Sequence, residues 1–281
     1  METKKPRSPA AAFVIVLLAC TVTLSTNGAA FQAAETGTAG GGRGFDTWFL
    51  LLNPGEEEAH ATLRYMTEGG STAVERRVDV GPGVRASVFA DESVEGVSFS
   101  TTVVSDEPLV VERAEYFEYR GGTTGGHAKP GVIEASGEWY FAEGCTADGF
   151  STWLLVENPA DGTATIDVTF MREGGGEIVE RYGIAPMSRF TLDLGSVPGL
   201  GRANVSMHLT SDRPVIAERA MYFAYAGRIE GGDVVTGATA PSFDWRFAEG
   251  YSGGGFDTWV LLMNPNDRPL RAQVYLDTGD T

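Results

Sequence analysis

Cysteine is nearly absent from this chain, with Cys20 and Cys145 the only two among 281 residues. Cys20 lies in an N-terminal apolar stretch, so export with loss of that stretch leaves Cys145 alone and excludes an intramolecular disulfide. The folded units must then be held by their own apolar cores. Histidine is as scarce: His60, His127 and His208 stand far apart, and none has a second His or Cys at metal-ligand spacing. No metal and no cofactor is expected. Basic residues are outnumbered, 21 Lys and Arg against 38 Asp and Glu, for a net charge of −17. With no basic cluster to release counterions, nucleic acid and anionic headgroups are excluded as partners. The acidity fits the solubility of an exported protein, with Ca²⁺ binding as the alternative. No stretch keeps an apolar 3.6-residue period long enough for a substantial helix.

Residues 1–30 read as an export signal. Lys4, Lys5 and Arg7 precede an apolar run over 10–24, and small residues follow at Gly28, Ala29 and Ala30. The run is shorter than the roughly 20 apolar residues that span a membrane comfortably. Leu17-Leu18-Ala19-Cys20 resembles a lipoprotein cleavage box, which makes Cys20 a lipidation candidate. Plain secretion is the leading expectation, since apolar residues continue past Cys20, and any membrane contact is confined to this segment.

What is abundant is repetition. Gly-Phe-Asp-Thr-Trp-Phe-Leu-Leu-Leu-Asn-Pro at 44–54 returns as Gly-Phe-Ser-Thr-Trp-Leu-Leu-Val-Glu-Asn-Pro at 149–159 and as Gly-Phe-Asp-Thr-Trp-Val-Leu-Leu-Met-Asn-Pro at 255–265. Trp48, Trp153 and Trp259 are 105 and 106 residues apart, so the chain holds two copies of a unit and the opening of a third. Ser105-Asp106-Glu107-Pro108 matches Ser211-Asp212-Arg213-Pro214, Glu112-Arg113 matches Glu218-Arg219, and Tyr116-Phe117 matches Tyr222-Phe223. Trp-Tyr-Phe-Ala-Glu-Gly at 139–144 matches Trp-Arg-Phe-Ala-Glu-Gly at 245–250, and in the first copy Phe31-Gln32-Ala33-Ala34-Glu35 is an eroded remnant. The implied divisions are 1–30 signal, 31–137 first unit, 138–243 second unit and 244–281 partial third unit.

Apolar and polar residues alternate along each unit, as at Ala203, Val205, Met207 and Leu209. The second copy yields seven strands, at 139–142, 152–157, 165–171, 178–184, 189–194, 203–210 and 215–223, separated by Gly, Pro, Asn and Asp turns. The expected fold is all-β, tandem immunoglobulin-like antiparallel β-sandwich repeats of about 105 residues. The Gly-rich segments at 121–137 and 227–242 read as loops or linkers. The tryptophan strand is apolar on both faces, Trp153 with Leu155 and Leu154 with Val156, so something must cover the second face. The unit's own 139–144 segment or a long loop is the simplest cover, and a neighbouring unit is the alternative. The third unit holds only about three strands, with open edges and an uncovered face. It is expected to be a fragment or to complete its fold with another chain.

No catalytic residue emerges. Gly250-Tyr251-Ser252-Gly253-Gly254 spells a nucleophile elbow, but every histidine precedes it and no helix follows. Gly81-Pro82-Gly83-Val84-Arg85-Ala86 spells a weak dinucleotide loop that leads into a strand. Cys145 lacks a recurring histidine to activate it, and its counterpart is Tyr251. The charges that recur are Glu112 with Glu218, Arg113 with Arg219, Arg85 with Arg189 and Glu143 with Glu249. Within apolar strands they read as internal ion pairs. The alternative is a groove in which Trp139, Tyr140, Glu143, Trp153 and Arg219 hold a sugar or peptide.

These combined signatures resemble those of an uncharacterised tandem-repeat family of exported bacterial cell-surface proteins, over almost all of residues 44–281. The resemblance implies an envelope context without an active site. The reading is an exported, non-catalytic spacer or adhesion module, secreted or held in the envelope, with cell-wall glycan or surface proteins as partners. The alternative is a glycan- or peptide-binding module accessory to a cell-wall enzyme.

Overall fold

Period-two patterning becomes strand throughout the first two copies. The computed structural model describes residues 44–70, 74–120, 122–227 and 229–276. The export signal, Cys20 and the remnant at 31–35 lie outside the described residues. The first copy runs β1 (Phe45–Leu52), β2 (Ala59–Thr67), β3 (Val74–Val80), β4 (Arg85–Phe89), one helical turn α1 (Asp91–Val94), β5 (Phe99–Ser105), β6 (Val110–Tyr119) and β7 (Thr123–Pro130). The second runs β8 (Ser136–Phe141), β9 (Phe150–Asn158), β10 (Ala164–Arg172), β11 (Glu177–Ile184), β12 (Ser188–Asp193), β13 (Val205–Tyr225) and β14 (Ile229–Thr236). The protein is all-β, and every ladder between these strands is antiparallel.

The first copy forms two sheets, ordered β4-β1-β6-β7 and β3-β2-β5. Phe49 and Leu51 from one meet Leu63 and Tyr65 from the other in a shared core. In the second copy β13 organises everything. Its first half pairs with β10 and β8, its second half with β9 and β14. The two strands predicted at 203–210 and 215–223 are therefore one strand of 21 residues, with a register shift between Thr210 and Val215. Pro214, which has no N–H to donate, sits at that irregularity. Trp139, Leu154, Ile166, Phe170 and Met207 fill the core beneath.

The repeated landmarks have local structural work. Asn53 and Asn158 are fully buried. Asn158 Nδ2 donates to the carbonyls of Gly162 at 2.8 Å, Ala185 at 2.9 Å and Ile184 at 3.1 Å, and its Oδ1 accepts from the Ala160 N–H at 3.1 Å. Asn53 does the same through Glu57 and Val80. In Ser-Asp-x-Pro, the Asp106 carboxylate accepts from the His60 N–H and Asp212 from the Thr165 N–H, each at 2.7 Å, which ties the open start of β2 and of β10.

Two expectations need correction. The Gly-rich segments at 121–137 and 227–242 are not loops throughout: about half of each is strand, as β7 and β14. Their glycines lie under aromatic rings: a Cβ at Gly232 would stand 2.6 Å from Tyr222 Cδ1 and 2.7 Å from Phe117 Cζ, and one at Gly125 would stand 2.9 Å from Phe117 Cζ. Close backbone approach, not looseness, explains the composition. The second correction concerns residues 244–276, which form no strand although three were expected there. Phe247, Phe256, Trp259, Leu262 and Tyr275 are exposed. Among the described residues no helix is long and apolar enough to cross a membrane.

Candidate functional site at the junction of the two copies

Cross-strand register decides which side chains share a face. In the first copy Phe49 lies opposite Arg113 and Thr47 opposite Glu115, so Arg113, Glu115, Phe117 and Tyr119 continue the core-facing side of β6. Lys129 and His127 on β7 lie opposite Arg113 and Glu115. In the second copy Leu155 lies opposite Glu218 and Trp153 opposite Ala220, on the side of β9 and β13 that faces away from their own core. These two surfaces meet. The second face of the tryptophan strand is thus covered by the neighbouring copy, and the 139–144 segment instead contributes Trp139 and Phe141 to the core of its own copy.

The contact is aromatic at one end and ionic at the other. Tyr222 stacks on Tyr119 with ring centroids 4.2 Å apart and meets the edge of Phe117 at 5.0 Å, while Trp153 Nε1 donates to the Tyr119 hydroxyl at 3.1 Å. Glu218 accepts from Lys129 Nζ at 2.7 Å and from Arg113 Nη2 at 3.1 Å. Burial alone would raise the Glu218 pKa, yet Arg113 and Lys129 outweigh it and hold the carboxyl below its ordinary range. Burial lowers the Lys129 pKa despite Glu218. His127 is 5% exposed, with Glu115 3.9 Å away, and burial lowers its pKa. It is not a surface histidine. Further along, Arg189 Nη1 donates to the Phe99 carbonyl at 2.7 Å.

Glu157 is the exception to pairing. It faces the first copy, accepts a hydrogen bond from the Thr102 hydroxyl at 2.7 Å, and has no cation in contact among the described residues. Burial raises its pKa above 4.5, assisted by Glu218 and opposed by Thr102. A raised folded-state value favours the neutral acid, so its stabilising contribution is full below pH 4.5 and is lost as pH rises through the folded value. Glu157→Gln keeps the Thr102 hydrogen bond and removes the charge. It should stabilise the protein at pH 7 by on the order of 1 kcal/mol, the scale of relieving one unpaired buried charge. Denaturant unfolding of both proteins at several pH values checks this: the difference should close as pH falls towards 4.5.

The five candidate ligand-binding residues do not converge. Trp139 is 1% exposed and donates from Nε1 to the Val215 carbonyl at 3.0 Å. Arg219 is buried and held by Glu143, which accepts at 2.8 Å through its carboxylate and at 3.1 Å through its carbonyl. Trp153 belongs to the junction. Tyr140 is part-exposed, as is Glu143; it is stacked on His208 at 4.3 Å with its hydroxyl donating to Glu138 at 2.7 Å, and burial with that carboxylate pushes its pKa up to about 12. The Cys145 thiol is half-buried and burial raises its pKa, the reverse of an activated nucleophile. Among the described residues no group of three or more His, Cys, Asp or Glu is placed to hold a metal.

At the open end of the junction lies a cleft of about 340 Å³, bordered by Tyr119, Arg120, Asp148, Phe150, Arg202 and Tyr222. Its aromatic faces are largely spent on one another, Tyr119 on Tyr222 and Phe150 on Phe223. Arg202 and Asp148 pair across it at 2.5 Å. Tyr119, Lys129, Glu115 and His127 were not singled out from the sequence as functional residues. Lys129 and His127 sit in a segment whose glycines masked it as a loop.

No family model and no curated protein matches this chain. A crystal structure of Thermotoga maritima 1070 is similar to 37% of this chain and 94% of that one, at 22% identity and a TM-score of 0.35, too low to carry an argument.

Proposed function

We propose that this chain is an exported, non-catalytic protein of the cell envelope that acts as a stiff spacer. In this reading it is built of tandem immunoglobulin-like β-sandwich units, 31–137 and 138–243, with 244–281 opening a third. The observation that carries it is the buried junction, where Glu218, Arg113 and Lys129 join one copy to the next. Fixed charges at one end of the contact and stacked aromatics at the other resist bending between units, as a spacer requires, and free linkers would not. Recurring residues that a binding or catalytic reading would need, Arg219 with Glu143 and Glu218 with Arg113, have partners inside the protein.

The competing reading is a glycan- or peptide-binding module. The full chain tested on an array of peptidoglycan fragments and polysaccharides separates the two. The spacer reading expects no saturable binding. Saturable binding abolished by Tyr140→Ala, with stability unchanged, would overturn it.

A further inference from the structure

We infer that His127 makes the junction a proton-operated release: neutral, it packs the two copies together, and on mild acidification its protonation parts them while each copy stays folded. The inference rests on the geometry of the junction and stands apart from the spacer reading.

The junction is a small element beside two larger ones. The first copy has its own core around Leu63 and Tyr65, and the second its own around Trp139 and Phe170. Between them lies a cluster whose buried members are Phe117, Ala220, Tyr222 and Val234. A contact with so little buried apolar surface opens at a lower free energy than either core.

His127 stands inside this contact. Its ring lies 6.0 Å from that of Phe117, its side chain is 5% exposed, and among the described residues neither ring nitrogen has a hydrogen-bond partner. A neutral imidazole is tolerated there, but an imidazolium brings a charge and two donors into the same place. The fold of a copy does not ask for this residue. In the second copy β13 and β14 pair in the same register with Met221 and Asp233 where β6 and β7 have Glu115 and His127. The histidine belongs to the joint.

The charged groups around it are already engaged. Glu115 on β6 is 3.9 Å from Nε2 and is shared with Arg113 Nε at 3.5 Å. Glu218 on β13 is held by Arg113 and by Lys129, which lies on the same strand as His127. Glu157 on β9 accepts from Thr102, and Asp233 on β14 is exposed and accepts from the Val234 N–H at 2.9 Å. Arg189 on β12 adds positive charge to the cluster, and the Tyr222 hydroxyl, its pKa raised by burial, stays neutral. Burial outweighs the attraction of Glu115, Asp233 and Glu218 and holds the ring below its ordinary pKa of 6.5, with Arg113 acting in the same sense as burial. Such a group contributes stability that is present above pH 6.5 and lost as pH falls through its folded value. Glu218 shares that sign but acts below pH 4.5, and Glu157 has the opposite sign.

The probe is the indole N–H of Trp153, which donates to Tyr119 across the junction at 3.1 Å, observed in the full chain labelled with nitrogen-15. Its hydrogen-exchange protection, referred to free indole at the same pH, measures how often the junction opens. The control is the indole of Trp139, bonded to Val215 within the core of the second copy. The host is Glu157→Gln, which removes the carboxyl of opposite sign. Between pH 7.5 and 5.5 protection at Trp153 should fall about tenfold, the gain of an open state that frees an imidazole one pH unit below its ordinary pKa. Protection at Trp139 should hold. In the same host His127→Gln and His127→Leu, neither of which titrates, should abolish the fall. Unchanged protection at Trp153, an equal fall at Trp139, or a fall that survives both substitutions would each overturn the inference.

Discussion

Glu218→Ala should cost about 3 kcal/mol, because it leaves Lys129 without its ion partner and Arg113 with Glu115 alone, 3.5 Å away. Lys129 is 10% exposed and Arg113 24%, and each has its strongest partner in Glu218. Denaturant unfolding monitored by tryptophan fluorescence will read the loss, and the two copies, no longer tied, should unfold in separable transitions. The charge-free control is the triple change Glu218→Leu, Arg113→Leu and Lys129→Leu. It removes the ions together and should recover most of the stability, since the expense lies in an unpaired charge more than in a missing pair. If Glu218→Ala unfolds like the wild type, the junction is not a coupling element. The pH dependence has a definite sign. A carboxyl held below its ordinary value contributes stability that is present above pH 4.5 and lost as pH falls through its folded value. The opposite slope belongs to Glu157, so acid weakens the junction through one carboxylate while relieving the other.

The second large effect is expected at Trp139. Its ring is sealed in the core of the second copy with its N–H on Val215, and Trp139→Ala should cost about 3–5 kcal/mol. Trp139→Phe separates packing from hydrogen bonding, since it keeps most of the volume and leaves the Val215 carbonyl unpaired, for about 1–3 kcal/mol. Thermal and denaturant unfolding of the full chain distinguish these values. A variant that keeps wild-type stability would contradict the core position.

Alternation was enough to find the strands, because a half-buried strand writes its geometry into every second residue. Ile166, Val168 and Phe170 are all buried, with Asp167 and Thr169 between them more accessible. The Asn-Pro and Ser-Asp-x-Pro landmarks were visible too, as turn chemistry. Three features escaped. β7 and β14 hide behind glycines whose purpose, room for Phe117 and Tyr222, is a contact from another strand and leaves no local signature. β13 reads as two strands because its central proline signals a break, while flanking pairings on both sides keep the chain extended. The junction escaped because equivalent letters serve unlike surroundings. Glu112 and Tyr116 are exposed where Glu218 is largely covered and Tyr222 is buried, and no single copy records what its neighbour will cover.

That asymmetry has a geometric consequence. The core-facing side of β6 and β7 grips the outward side of β9, β13 and β14, so the two partners bring dissimilar surfaces to the contact. Such a heterologous joint cannot close on itself by two-fold symmetry, and every joint of this kind has a distinct leading and trailing side.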